Sequence, residues 1–296
     1  MHADLLPGFK NAKHGDQWIN TLATYAFPKI GPRPVGEIDV AAVLDVLRPI
    51  WNAKEETARR VRQRMDAVMR WAVAHGYATT NPVDAASELL GKQRDKVEHH
   101  TAMPLDQIPD LYARLGRSTG MAARCLQFLV LTAIRSGEAR GAPARELDLE
   151  VGRWTIAAER MKAGVEHVVP LSSQAIELLR PLIKAAQDPT DLVFPSPKGG
   201  GLSDMAMTTL MRKMQADGVP HGFRSSFRDW CSREGVSREI AERALAHAVR
   251  DKTESAYLRT TLIEERRPVM QAWADFVTGA AVETVPAKGA SKKTAA

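Results

Sequence analysis

The sequence predicts a mainly α-helical protein of two domains: a small helical domain, then an α-rich domain carrying a small antiparallel β-sheet. Three observations predict it. Apolar residues recur at helical spacing along most of the chain, as in Val61, Met65, Val68, Met69 and Ala72, which puts them on one face of a helix. From Glu146 to Pro170 the pattern changes. Leu147 and Leu149 alternate with charges, Trp154 and Ile156 alternate with polar residues, and Val165 to Val169 is rich in β-branched side chains; this is strand periodicity. Finally, residues 92–100 are charged and poor in apolar side chains, as expected of a linker between two cores. We therefore read 1–91 as the first domain, 92–100 as the linker, 101–278 as the second domain and 279–296 as a disordered tail of small and Lys-rich residues.

The totals narrow the class. With 296 residues, 44% hydrophobic and 26% charged, the chain is long enough for a sizeable core and has a globular composition. A net charge of +6 is compatible with a nucleic-acid partner without establishing one. Cys125 and Cys231 are the only cysteines, which argues against a disulfide framework or a zinc cluster. The longest apolar run, Cys125 to Ile134, is interrupted by Gln127 and is too short to span a bilayer. With no secretory leader recognised, the expectation is a cytoplasmic protein with no membrane partner.

In the first domain a helix is expected from near Asp16, with Trp18, Ile19, Leu22 and Tyr25 on one face. Pro28, Gly31, Pro32 and Pro34 predict a stiff loop. Asp39 is the candidate cap of a second helix bearing Val43, Leu44 and Leu47. The third helix is expected from Trp51-Asn52, with Asn52 as N-cap, Glu55 closing a capping box and Gly76 as the stop. Arg59, Arg62, Gln63 and Arg70 fall on its polar face. Such a face is either solvated and ion-paired or a track for phosphates. The excess of basic residues from Arg48 to Arg70 favours DNA binding by Arg59, Arg62 and Arg70.

In the second domain an amphipathic helix is expected over 104–115, and Met121 to Ile134 reads as a central helix, apolar nearly all round. Arg135 follows that run directly. A guanidinium there needs an anionic partner, and Glu138, three residues on, can supply it. Lys162 lies at the connection between the last two strands. Ser172 or Ser173 should cap a helix through Leu179, Asp191 to Phe194 should be a short strand, and Ser196 to Gly201 a loop without the Gly-Lys-Ser/Thr of a P-loop. Ser203 or Asp204 should cap the next helix. Helices are then expected over 224–234, 237–247 and 261–276. His-x-x-Arg occurs twice, at His221 to Arg224 and at His247 to Arg250. Alone, each of these residues has a structural explanation.

Taken in order, an arginine with a supporting glutamate, a lysine beside a β-turn, His-x-x-Arg, a histidine and a tyrosine resemble the tyrosine recombinases, or phage integrases. The local words resemble the family too: Thr-Ala-Ile-Arg135-Ser-Gly-Glu138, Arg-Met-Lys162, Val-Val-Pro-Leu171, His221-Gly-Phe-Arg224, Leu-Ala-His247 and Ala-Tyr257. Pro-Lys-Ile-Gly-Pro-Arg-Pro-Val35 and Glu-Thr-Ala-Arg-Arg-Val61 resemble the core-binding domain of the satellite-phage and genomic-island subgroup. The resemblance implies the tyrosine recombinase catalytic fold, with Tyr257 as nucleophile forming a 3′-phosphotyrosyl link. It implies Arg135 and Arg224 as phosphate clamps, Lys162 as acid for the 5′-oxygen, and His221 and His247 as proton-transfer and phosphate-binding groups. Glu138 is implied as structural support. Of the two His-x-x-Arg copies it selects the first, leaving Arg250 incidental. It implies neither a metal nor another cofactor. The implied partners are double-stranded DNA attachment sites, further copies of the chain in a homo-tetramer on DNA, a directionality factor and a DNA-bending host protein. The helix over 261–276 is its candidate for exchange between protomers.

The subgroup's N-terminal arm-binding domain has no counterpart before the core-binding match, so a truncated relative is one expectation. The alternatives are a truncated or decayed integrase acting only as a DNA-binding protein, and a type IB topoisomerase or resolvase with the same phosphotyrosine chemistry.

Overall fold

The computed structural model describes residues 1–9, 12–93, 102–247 and 262–280. Tyr257, Arg250, the expected linker beyond Gln93 and the expected tail beyond Ala280 lie outside the described residues. The chain divides into two compact units, Met1–Glu98 and His99–Ala296. Described elements are almost all helical apart from one three-stranded antiparallel sheet, as the periodicities predict.

The first unit contains α1 (Ala12–Tyr25), α2 (Val40–Leu47), α3 (Glu55–Ala74) and α4 (Val83–Leu90). Leu22, Val43, Val46, Leu47, Val61, Met65, Met69 and Val83 close into one core, each large side chain contributing about 1.5–3 kcal/mol by leaving water. Asp39 caps α2 as expected, its Oδ1 accepting from the Ala42 N–H at 2.8 Å. Gly76 stops α3: at φ +73° it lets Tyr77 N–H reach Ala72 O (2.9 Å) and its own N–H reach Val73 O (3.1 Å), the paired bonds of a Schellman motif.

Three expectations in this unit need correction. α1 starts at Ala12, before Asp16. Pro28 belongs to a one-turn helix, Phe27–Ile30, at a first-turn position where its missing N–H costs nothing. Asn52 is not the cap of α3. The helix starts at Glu55, Lys54 stands at its N-cap without a side-chain bond, and no capping box forms. The cause is Trp51, which is buried and donates its Nε1–H to Gly91 O at 3.2 Å. That contact holds residues 51–54 as a turn rather than a helix start. It also ties them to the end of α4, a helix that the sequence reading did not include.

The second unit contains α5 (Ile108–Gly116), α6 (Met121–Thr132), α7 (Ser136–Arg140), β1 (Leu147–Asp148), β2 (Arg153–Ile156), β3 (His167–Pro170), α8 (Ser173–Ala185), α9 (Ala206–Lys213), α10 (Phe223–Arg233), α11 (Arg238–Ala244) and α12 (Ile263–Thr278). Cys125 through Thr132 of α6 are all buried, and α5, α8, α9 and α12 pack around it. The sheet runs β1-β2-β3, with Trp154 opposite both Leu147 and Val169, and Ile156 opposite His167. Ser172 caps α8, its hydroxyl accepting from Ala175 N–H at 3.2 Å, and the helix runs past Leu179 to Ala185.

The structure differs from expectation at five places here. α6 stops at Thr132 because Ala133 turns left-handed, φ +50°, so Arg135 begins α7 instead of ending the core helix. Residues 191–194 form no strand; Leu192 makes only an isolated bridge to Pro143. Neither Ser203 nor Asp204 caps α9, whose N-cap is Met205; the Asp204 carboxylate pairs with Arg140 instead. β3 starts at His167, leaving Val165 exposed. α11 ends at Ala244, before His247. The last helix packs within its own unit, where Trp273 is buried and donates Nε1–H to Val130 O at 2.7 Å.

Candidate active site

The left-handed turn at Ala133 swings the chain so that Arg135 becomes the N-cap of α7 and Glu138 its third residue. One carboxylate then does two jobs. Glu138 Oε2 accepts the Arg135 backbone N–H at 3.1 Å, and its Oε1 accepts Arg135 Nη1 at 3.0 Å. Glu138 is 5% exposed and Arg135 25%, so the guanidinium is fixed on one edge and open on another. Its Nη2 donates to Ala246 O at 3.4 Å.

Arg224 stands in the first turn of α10 and is 4% exposed. Nη1 donates to Ala133 O at 2.8 Å, and Nη2 donates to Leu245 O. Burial, and then the charge of Arg135, lower its pKa to about 10, against an upward pull from Glu138. It therefore stays charged at neutral pH. Two guanidiniums close enough to perturb each other share one carboxylate, so the cluster is left with a net positive charge suited to an anion.

His247 follows α11 through a Schellman motif. Ala246 is left-handed at φ +48°, Ala246 N–H donates to Arg243 O and His247 N–H to Glu242 O, both at 3.1 Å. Burial first, then Arg224, Arg135 and Arg228, lower the His247 pKa to about 4, so its ring is neutral at pH 7. Glycine enters the left-handed region without the clash that an alanine Cβ makes. Ala246→Gly should therefore stabilise the unit by about 0.5–1 kcal/mol, read as a rise in the urea midpoint at unchanged slope.

The structure thus brings Arg135, Glu138, Arg224 and His247 together. His221 is the exposed residue of the 3₁₀ turn Pro220–Gly222, whose other two residues are buried, immediately before α10. Lys162 is exposed on the β2–β3 connection, which is longer than a tight hairpin turn. Two residues earlier on that connection, Arg160 pairs with Glu146 and donates Nη2–H to Glu138 O at 2.5 Å, anchoring the loop to α7. Tyr257 lies outside the described residues. Among the described residues no group of three or more His, Cys, Asp and Glu side chains could hold a metal ion, and no helix is long and apolar enough to cross a membrane.

The model described as the phage integrase family matches residues 102–262, more than half of the chain. The chain belongs to the phage integrase family. A second model, the phage integrase central domain, matches residues 1–89. The integrase of Enterobacteria phage P4 is 32% identical over 288 residues, covering 89% of this chain and 65% of that protein. Prophage integrase IntA of Escherichia coli K12 is 31% identical over 277 residues, covering 90% of this chain and 66% of that protein. The chain therefore spans just under two thirds of the length of these relatives. Among solved structures, a lambda integrase(75-356) dimer bound to a COC′ core site gives a TM-score of 0.66 at 19% identity, covering 84% of this chain and 92% of that one. A lambda integrase tetramer bound to a Holliday junction gives 0.65 at 18% identity, covering 86% and 74%. These likenesses establish a shared fold.

Within the phage integrase match, sequence reasoning missed several groups that hold the site. The carbonyls of Ala133, Leu245 and Ala246 position the arginines, and no residue type announces a carbonyl. His167 was missed as well. It is 8% exposed, and its Nε2 has no hydrogen-bond partner among the described residues. Burial and then Arg266, with smaller contributions from Arg224 and Arg135, lower its pKa to about 3, while a bond to the Ala244 backbone pulls upward. The unfolded chain binds a proton near pH 6.5 and the folded one does not. Stability should therefore be full above about pH 6.5 and fall as pH drops toward 3, by up to about 1.4 kcal/mol per unit from this one group. Urea unfolding of a His167→Gln chain over pH 6.5 to 4.5 should give a correspondingly flatter dependence.

The central-domain match contains α3. Its Arg59 pairs with Glu56 (3.1 Å), Arg62 with Asp84 (3.9 Å) and Arg70 with Asp66 (2.7 Å). Exposed pairs of this kind contribute only about 0–1 kcal/mol, so a phosphate can replace the carboxylate at small cost. Gln63 and Arg70 share a hollow of about 430 Å³ with Trp18, Arg60 and Arg64. Arg59 and Arg62 do not line it.

Proposed function

We propose that this chain is a site-specific DNA recombinase that cleaves and rejoins strands through a 3′-phosphotyrosyl intermediate, for integration or excision of a mobile element. The observation that carries the reading is the convergence of Arg135, Arg224 and His247, braced by Glu138, in a chain of the phage integrase family. Residues 1–91 would grip core-type DNA through Arg59, Arg62 and Arg70, and 101–278 would carry the chemistry.

Tyr257 attacks the scissile phosphorus as His221 takes its phenolic proton. The bond to the 5′-oxygen breaks, and Lys162 protonates the leaving oxygen. Arg135 and Arg224 hold the non-bridging oxygens, where charge accumulates in the transition state. His247 hydrogen-bonds the phosphate and helps seat Tyr257. The phosphotyrosyl bond conserves the energy of the broken one, so the scheme needs neither ATP nor metal. Attack by a 5′-hydroxyl from a second duplex reverses the step and exchanges strands. The two lambda integrase structures named above, a dimer on a core site and a tetramer on a Holliday junction, support double-stranded attachment sites as partners and a homo-tetramer on DNA as the working form. A directionality factor and a host DNA-bending protein complete the proposed set.

The test is covalent trapping. Nicked suicide duplexes, carrying the sequences at the boundaries of the element that encodes the chain, are incubated with it in EDTA without ATP. A DNA-shifted band on a denaturing gel is expected, and Tyr257→Phe should abolish it. Gel-shift binding with no covalent band on any duplex would replace this reading with that of a DNA-binding protein without turnover.

A further inference from the structure

The Schellman motif that ends α11 puts the third residue from the helix end beside the second residue past its cap. In this motif that contact is frequently apolar. Here the two residues are Glu242 and His247, and His247 Nδ1 lies 2.5 Å from Glu242 Oε2. The other carboxylate oxygen pairs with Arg228 of α10. Glu242 is 22% exposed and is thus anchored on both sides.

This geometry has a chemical consequence. An ionised carboxylate only accepts hydrogen bonds, so the proton at the short contact belongs to His247 Nδ1. A neutral ring then has a bare Nε2, which can accept a hydrogen bond but cannot donate one to a phosphate oxygen. To donate there, His247 must take up a second proton, and Glu242 is the counter-charge that supports the resulting imidazolium. We propose that Glu242 is a positioning residue for strand cleavage: it holds the Nδ1–H of His247, so that His247 meets the scissile phosphate as an imidazolium donating from Nε2. The proposal rests on the recombinase reading and adds a residue and a proton to it.

The surroundings supply the trigger. Among the described residues, the charged groups around His247 are Arg135 at the start of α7, Arg224 and Arg228 on α10, and Glu242 on α11. In the free protein, burial and the three arginines keep the ring neutral, its pKa near 4. A phosphate between Arg135 and Arg224 cancels the repulsion from both and adds an acceptor, so DNA binding brings proton uptake at this ring. Sequence reasoning had no access to Glu242, because a five-residue spacing places two side chains together only where a helix ends in this motif.

Two measurements test the proposal. In the full-length chain with ¹⁵N-labelled histidine, long-range ¹H–¹⁵N correlations at pH 7 should show His247 protonated on Nδ1 alone. Adding the nicked duplex to Tyr257→Phe, which binds without reacting, should convert it to the doubly protonated pattern. A free-state ring protonated on Nε2, or a ring still neutral in the DNA complex, would overturn the proposal without needing a Glu242 variant. In the second measurement, Glu242→Gln should form covalent complex about 10–100-fold more slowly at pH 7.5, with duplex affinity within about twofold. The deficit should narrow as pH falls toward 6, because the extra proton becomes easier to load. A deficit constant across pH would assign Glu242 a purely structural role and reject the proposal. An unmodified wild-type chain on every duplex would remove the recombinase reading and the proposal together, whereas normal wild-type cleavage matched by Glu242→Gln would reject the proposal alone.

Discussion

Arg224→Lys is expected to slow covalent-complex formation by about 10²–10³-fold, the usual cost of losing one transition-state donor, with duplex affinity in a gel shift changed by no more than a few-fold. The guanidinium spans two carbonyls that approach from different parts of the chain, Ala133 O and Leu245 O, and still has N–H groups left for an anion. A lysine carries three donors on one atom and cannot span both carbonyls while facing a phosphate. The position is also 4% exposed, and burial favours the neutral form of an amine. Single-turnover trapping at pH 7.5 checks the expectation; a rate within threefold of wild type would show that Arg224 does not hold the phosphate.

Glu138→Ala is the second large effect, and it should show first in stability. The substitution removes the acceptor of the Arg135 backbone N–H and the acceptor of its Nη1 together. Hydrogen bonds to charged groups contribute about 1.5–3 kcal/mol each, and water reaching the partly exposed Arg135 recovers some of that. We expect a loss of about 2–3 kcal/mol in urea unfolding and a fall in trapping rate of at least tenfold as Arg135 loses its orientation. Glu138→Gln keeps an acceptor for one of the two bonds and should lose less on both measures. Equal losses for the two variants would mean that the paired charge, and not the double acceptor geometry, supports the site.

What could be read from the sequence divides along a physical line. Side chains that act on their immediate neighbours were legible. Asp39 caps α2 through a bond three residues away, Gly76 supplies a left-handed stop, and the Arg135–Glu138 pair closes within one turn. The central helix and the sheet were legible too, since burial on all sides or on one face leaves a periodic trace. Features set by tertiary contact were not. Asn52 has the right neighbours for a capping box, yet burial of Trp51 overrides it. Asp204 was a plausible cap until Arg140 took its carboxylate. Alanine gives no hint of a left-handed turn, so nothing in Thr-Ala-Ile-Arg marked the break at Ala133 that puts Arg135 at the N-cap of α7. The polar face of α3 was legible as a face, while its ion pairs to Asp84 and Asp66 required knowing where α4 passes and which rotamers the arginines adopt.

The braces of the arginine pair also constrain when the site can exist. Arg135 is tied to a carbonyl 111 residues later in the chain, and Arg224 to one 91 residues earlier and another 21 later. On a ribosome, residues near 135 and 224 emerge well before Leu245 and Ala246, and contacts across such spans form only after the intervening chain has collapsed. A nascent chain that has folded its central helix still lacks the carbonyls of Leu245 and Ala246 that complete the hold on the two arginines. The arrangement of Arg135 and Arg224 described above is therefore completed only after residue 246 has left the ribosome and packed.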